Sequence, residues 1–312
     1  MRRRRVGGSG LSVSRLGLGT AMWGEPLDQE ICRDLLVAYV NAGGTLLDTA
    51  HSYGFGRSEE ILGGLLDDVV PRDELTICTK AGVARTPDRR VVDTSRGALL
   101  RHLDASLGRL GIDHVDLWLA HTWSETAPME ETVSALEYAV TSGRARYVGV
   151  SNYSGWQTAR AFSLLENARV PLVANEIEYS LVVRNSEEEL LTAAAALGFG
   201  LLAYSPLARG VLTGKYRFNG SSGSRTPTRQ LPAYVRDRLD ARSTAVVEAV
   251  STAAGGLDVT PTEVALAWVR DRPGVTAPIV GCRSVVELQT ALASENLELP
   301  PEIVAALDEV SG

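Results

Sequence analysis

The chain has 312 residues, 45% apolar and 22% charged, a balance that suits a soluble folded protein with a sizeable core and excludes disordered, collagen-like and disulfide-scaffold classes. Its 38 acidic residues against 31 basic ones leave a net charge of -7, the wrong sign for a protein devoted to neutralising nucleic-acid phosphates. Three widely spaced cysteines, Cys32, Cys78 and Cys282, offer neither a disulfide framework nor a zinc knuckle and point to a reducing, cytoplasmic setting.

The run Arg2 to Arg5 precedes a Gly/Ser-rich stretch too polar for a signal-peptide core, so a solvated amino terminus is expected. No stretch approaches about 18 uncharged apolar residues, and no membrane span is expected. Eight short apolar runs then recur: Leu16 to Gly19, Thr45 to Asp48, Leu75 to Thr79, Val115 to Ala120, Arg146 to Val150, Leu172 to Asn175, Gly200 to Ala203 and Ala277 to Val280. Helical periodicity fills the gaps at Gln29 to Asn41, Ser58 to Leu66, Thr94 to Leu110, Met129 to Ser142, Gly155 to Glu166, Ser186 to Leu197, Ala241 to Ala254, Pro261 to Asp271 and Val285 to Ala293. Continuous apolar strands imply burial on both faces, as in a parallel sheet covered by helices. Ser186 with Glu189 reads as a capping box, and Gly143 and Gly198 stand where helix carboxyl ends need a left-handed residue.

Eight strand–helix units fit a closed (β/α)8 TIM barrel, one α/β domain over residues 1–312 with its chemistry at the carboxyl ends of the strands. The rival, an open doubly wound sheet, requires a G-x-G-x-x-G turn, and Gly17-Leu18-Gly19-Thr20 lacks the third glycine. The Gly-, Ser-, Pro- and Arg-rich segment 217–238 follows the seventh strand as a long loop, either a lid over the site or a tolerated insertion.

Polar residues stand where the barrel mouth would lie: Asp48 after strand two, Lys80 after strand three, His121 after strand four, Ser151 and Asn152 after strand five, Asn175 and Glu176 closing strand six, Tyr204 and Ser205 after strand seven. A tyrosine hydroxyl is a poor acid near neutral pH, but a neighbouring ammonium favours its phenolate, and a buried lysine needs a carboxylate. Tyr53, Lys80 and Asp48 meet those needs from adjacent strand ends, and His121 is placed to orient a carbonyl. Each alone also reads as an ordinary loop aromatic, ion pair or strand-end histidine. His102 and His114 read as surface residues, and His51 lies near the mouth without a role. No metal-ligand spacing and no G-x-S-x-G nucleophile elbow is evident.

These residues resemble the aldo-keto reductase family along essentially the whole chain. The matching motifs are Gly17-Leu18-Gly19-Thr20, Leu47-Asp48-Thr49-Ala50 with Tyr53-Gly54, Arg57-Ser58-Glu59-Glu60-Ile61-Leu62-Gly63, Thr79-Lys80, Tyr147 to Asn152, Ala203 to Leu207, and Leu212 to Tyr216. The resemblance implies reduction of an aldehyde or ketone, sugar-type carbonyls included, by hydride from NADPH in preference to NADH, with Tyr53 as proton donor, Asp48 and Lys80 as its tuners and His121 as the orienting group. It implies a cofactor site of Gly19, Thr20, Asp48, Ser151, Asn152, Glu176, Tyr204, Ser205, Pro206, Leu207, Arg209, Gly210, Lys215, Gly281, Arg283 and Glu287. Trp23, Tyr53, His121, Thr122 and Trp123 would meet a small-molecule carbonyl substrate; for Trp23 and Trp123 core packing is the alternative.

Three places depart from the family pattern, one of them Thr290-Ala291 where relatives commonly carry a Glu-Asn pair. Glu176 replaces a common glutamine and can accept but not donate a hydrogen bond when ionised. Glu287, one turn beyond Arg283, would repel a ribose 2′-phosphate that Arg283 would otherwise bind. Two other functions remain open: reduction of a keto or enoyl sugar nucleotide held by Arg217, Arg225 and Arg229, and a nicotinamide-binding regulatory subunit with little turnover. Oligomeric state is not legible.

Overall fold

A computed structural model describes residues 1–85, 89–215 and 240–312; the expected lid at 217–238 and its arginines lie outside them. Eight parallel strands close into a barrel in chain order: β3 (Gly17–Gly19), β4 (Leu46–Asp48), β5 (Thr76–Ala81), β8 (Val115–Ala120), β9 (Ala145–Ser151), β10 (Leu172–Glu178), β11 (Gly200–Tyr204) and β12 (Val275–Val280). All eight coincide with the apolar runs of the sequence. Helices on the outside cover the second face of each strand, which is why the strands carry no polar alternation.

The amino terminus differs from expectation. Arg3–Arg5 form β1, paired antiparallel with β2 (Ser12–Ser14). Val6 and Val13 from this hairpin are buried with Leu46, Leu117, Val173 and Ala277 in the barrel interior and close its amino-terminal end. Arginines alternate with that pairing: Arg3 and Arg5 are exposed, while Arg4 turns inward and donates to the carbonyls of Arg270 (2.7 Å) and Val275 (2.6 Å). Anchoring by the two valines explains why an arginine run is ordered here. A second hairpin, β6 (Val83–Arg85) with β7 (Arg90–Val92), and a final helix at Pro301–Ser311 also lie outside the elements expected from periodicity.

Helix termini follow local chemistry. Ser154 with Gln157 and Thr260 with Glu263 form capping boxes. Gly143 and Gly198 take positive φ values of 79° and 81° as expected. Ser186 does not cap: its backbone is already helical, the turn Glu187–Leu191 is a π-helix, and Glu189 instead accepts from the Trp156 N–H at 2.6 Å.

Tyr39, fully buried on the first helix, ties that helix to the first two barrel strands. Its hydroxyl lies 2.7 Å from the Leu16 carbonyl and 2.9 Å from that of Leu46, accepts from the Leu46 N–H at 3.1 Å, and meets Ser14 Oγ at 2.9 Å. Tyr39→Phe strands several of these buried groups, so we expect a stability loss of about 1–3 kcal/mol, read as a fall in thermal midpoint. An unchanged midpoint would show the hydroxyl to be dispensable.

Candidate active site at the carboxyl end of the barrel

Side chains two residues apart on a strand face the same way, so the interior layer of Leu46, Cys78, Leu119, Ala174 and Leu202 is followed towards the carboxyl end by Asp48, Lys80, His121, Glu176 and Tyr204. Five polar groups are thereby forced into one layer. Asn175, one step off that register, faces outward and donates to the Tyr153 carbonyl and Thr158 Oγ1.

Lys80 is the centre of the layer and is fully buried. Its Nζ lies 2.5 Å from Asp48 Oδ1, 3.0 Å from the Thr49 carbonyl, 3.3 Å from Glu176 Oε1 and 3.5 Å from the Tyr53 hydroxyl. Desolvation works against its charge, yet Asp48 and then Glu176 outweigh it and hold the ammonium well above its usual range. Burial, reinforced by Asp48, raises the Glu176 carboxyl to about 8. Tyr53 departs from the simple expectation: Lys80 does pull its pKa down, but desolvation is larger and the hydroxyl stays protonated well above its ordinary value.

His121 stands edge-on to Tyr53, ring centroids 5.9 Å apart. Desolvation and the Lys80 charge push its pKa well down, so the ring is neutral. Asp48, Cys78 and Glu176 bring potential metal ligands within 4.8 Å of one another, and the cation against both carboxylates is the Lys80 ammonium.

The remaining expected residues are distributed around this layer. Asn152, exposed and left-handed at φ 58°, donates to the His121 carbonyl (3.0 Å) and Ser151 Oγ (2.9 Å), and accepts from the Tyr204 hydroxyl (2.8 Å). Gly19 and Thr20 are buried at the end of β3, where the Thr20 hydroxyl donates to the Asp48 carbonyl. After β11, Ser205, Ala208, Arg209 and Gly210 all have positive φ, with Pro206, Leu207 and Lys215 in the same loop. Such backbone in non-glycine residues persists only where the surroundings impose it. Beyond β12 and Gly281, Arg283 is clamped by Glu287, Nη2 to Oε1 at 2.6 Å and backbone N to Oε2 at 2.9 Å. Glu287 therefore compensates the Arg283 charge directly rather than standing apart from it.

Trp123 packs edge-on to Tyr153 and Trp156, with Thr122 half-buried beside it. Trp23 is only 1% exposed and packs in the core, the alternative noted for it.

A supporting network lies behind the layer. Buried Glu59 accepts from Thr79 at 2.5 Å and from Arg109 at 2.6 Å; Arg109 also donates to His51 Nδ1 at 2.7 Å, and His51 stacks on His102 at 3.9 Å. His102 is thus half-buried rather than a surface residue, accepting from the Gly82 N–H, and His114 is half-buried against Asp113. Burial, with His102 and Arg109, lowers His51 to about 3 and keeps it neutral. Ser58 bonds Thr20 and Thr49, holding the next helix under the mouth.

A closed parallel barrel with a buried polar layer, centred on a lysine ammonium, at the carboxyl ends of its strands defines a (β/α)8 enzyme scaffold. Residues 15–311 match the model of the aldo/keto reductase family, and the chain belongs to that family. It is 33% identical to the uncharacterized oxidoreductase YrpG of Bacillus subtilis (strain 168), over 98% of this chain and 94% of that protein. It is 35% and 34% identical to L-glyceraldehyde 3-phosphate reductases of Escherichia coli O157:H7 and K12, over 99% of this chain and 92% of each. The chain is an oxidoreductase of a family that acts on small carbonyl compounds. Among the described residues no helix is long and apolar enough to cross a membrane.

Replacing Lys80 with Met would leave Asp48, and Glu176 where it has lost its proton, buried without a cation. We expect a loss of about 3–5 kcal/mol near neutral pH. Protonation relieves uncompensated carboxylates, so the deficit in thermal midpoint should shrink on going from about pH 8 to about pH 5; an equal deficit at both would disprove this electrostatic role.

Proposed function

We propose that the protein reduces an aldehyde or ketone with a nicotinamide dinucleotide, NADPH in preference to NADH, and that Tyr53 delivers the proton to the carbonyl oxygen. The observation that carries this reading is the buried Lys80 ammonium, held between Asp48 and Glu176 with the Tyr53 hydroxyl 3.5 Å away and the neutral His121 ring beside it.

The donor set suits a dinucleotide. Asn152 stands exposed at the mouth, where a carboxamide would have to exchange with its bonds to Ser151 and Tyr204, the left-handed loop carries Arg209 and leads to Lys215, and Arg283 lies beyond β12. Ser151, Asn152, Glu176 and Tyr204 would hold the nicotinamide end, with Gly19, Thr20 and Asp48 beneath it. Ser205 to Gly210 and Lys215 would hold the pyrophosphate, and Gly281, Arg283 and Glu287 would meet the adenosine end. The reduced cofactor supplies hydride when bound. His121 hydrogen-bonds the carbonyl oxygen, Tyr53 gives it a proton as negative charge builds there, and Lys80 stabilises the resulting phenolate. Trp123 and Thr122 wall the carbonyl's other substituents.

A small sugar aldehyde and its phosphate ester head the substrate panel, because two relatives are named for reducing such a compound. Cofactor oxidation should be followed over aldehydes, ketones, sugars and sugar nucleotides with NADPH and NADH in parallel. Tyr53→Phe should lower kcat/KM by about 10²- to 10⁴-fold while cofactor binding, read by fluorescence quenching, stays within a few-fold. Retained turnover would sink the assignment of Tyr53.

Glu287→Gln releases the Arg283 guanidinium from its carboxylate partner. The variant should tighten NADP+ relative to NAD+ by about tenfold, one charge-assisted contact, in direct binding titrations. An unchanged ratio would place the 2′-phosphate elsewhere.

A further inference from the structure

The Lys80 ammonium has three N–H donors and four oxygen neighbours. Asp48 at 2.5 Å and the Thr49 carbonyl at 3.0 Å are the nearest two. Glu176 Oε1 at 3.3 Å and the Tyr53 hydroxyl at 3.5 Å are left to share the third donor. Glu176 is 1% exposed, and its Oε2 is buried with no hydrogen-bond partner among the described residues. A carboxylate oxygen in that position would forfeit its hydration without replacement, which a neutral acid avoids.

We propose that Glu176 is a positioning residue that competes with Tyr53 for the third N–H of Lys80, so that the site is competent while Glu176 carries a proton and loses competence when that proton leaves. As a neutral acid, Glu176 is a weak acceptor, and the third N–H remains available to Tyr53. As a carboxylate it captures that N–H and places a second negative charge beside the phenol. Both changes disfavour the phenolate that proton donation leaves behind.

The groups acting on Glu176 come from several strands. Asp48 on β4 resists its ionisation, and Lys80 on β5 favours it; Cys78 on β5 is held as a thiol by burial and by Asp48. Tyr53 from the loop after β4 and Tyr204 on β11 both feel the Glu176 charge, and the paired positions on β9 and β11 are uncharged Ser151 and Leu202. Burial together with Asp48 outweighs Lys80 and puts the transition at about 8.

The proposal rests on the carbonyl-reduction reading for its kinetic consequence, but not for its physical test. With cofactor saturating, kcat/KM of the unmodified enzyme should fall about tenfold per pH unit above about 8, while Glu176→Gln, whatever its absolute rate, should stay level over the same window. Independently, in cofactor-free enzyme labelled with ¹³C-tyrosine and assigned with Tyr53→Phe, the Tyr53 Cζ resonance should move between about pH 6 and about pH 10 and be still in Glu176→Gln. Superimposable pH profiles, or a Tyr53 resonance indifferent to pH in the unmodified protein, would overturn the proposal. Should Glu176→Gln fail to fold, the unmodified protein's resonance decides alone. A moving resonance with no turnover of any carbonyl would reject the reductase reading and leave the competition for Lys80 standing.

Discussion

A lysine ammonium is costly to take into a protein interior unless anionic groups go with it, and the polar layer at the carboxyl end of this barrel meets that requirement. Lys80 is fully buried and meets Asp48 from the preceding strand and Glu176 from across the barrel. Each is on an inward-facing register position, so the same period that fills the lower layers with Leu46, Leu119 and Leu202 lifts charged groups into one plane at the top. Burial first, and then the charge of Asp48, give Glu176 its raised affinity for a proton, because one cation does not offset two buried carboxylates.

The layers around this plane hold its groups in place by packing and hydrogen bonds. Below it, Val6 and Val13 seal the amino-terminal end, leaving the chemistry a single open face. Behind it, Thr79 and Glu59, then Arg109, His51 and His102, form a chain of contacts that ends on a backbone N–H at Gly82. In front of it, Asn152 joins the ends of three strands by bonding the His121 carbonyl, Ser151 and Tyr204. Left-handed residues in the loop after β11 are the cost of turning that backbone towards the mouth, a conformation that only surrounding structure can impose.

Burial and charge act in opposite directions on Tyr53, and their balance is the main physical correction to the simple view of an acidified phenol. A lysine beside a tyrosine lowers its pKa, but the same enclosure that brings them together strips water from the phenolate, and the second effect is larger. The hydroxyl consequently keeps its proton, which is the form the proposed donor role requires. Acidification then depends on how much of Lys80 is free to stabilise the departing charge, which returns to the occupancy of its three donors.

The eight barrel strands, the helices between them, the closed-barrel class and most of the inward polar residues, though not the outward Asn175, the two hairpins or the final helix, were legible in the residue order, because apolar runs, helical periodicity and alternation along a strand are local properties. Ser186 shows where local pattern ends: its spacing to Glu189 reads as a cap, but Glu189 is drawn away to Trp156 on a neighbouring helix. The arginine run likewise reads as solvated until barrel residues distant in sequence, Leu46, Leu117, Val173 and Ala277, take in the neighbouring Val6 and Val13 and pin the hairpin beneath the barrel. Glu287 was expected to repel a phosphate, and only its folded position shows it neutralising Arg283. Sequence by itself therefore determined which groups could meet at the mouth. Tertiary structure decided which of them compete, because desolvation and the sharing of three N–H donors among four oxygens depend on distances that close only when the eighth strand meets the first.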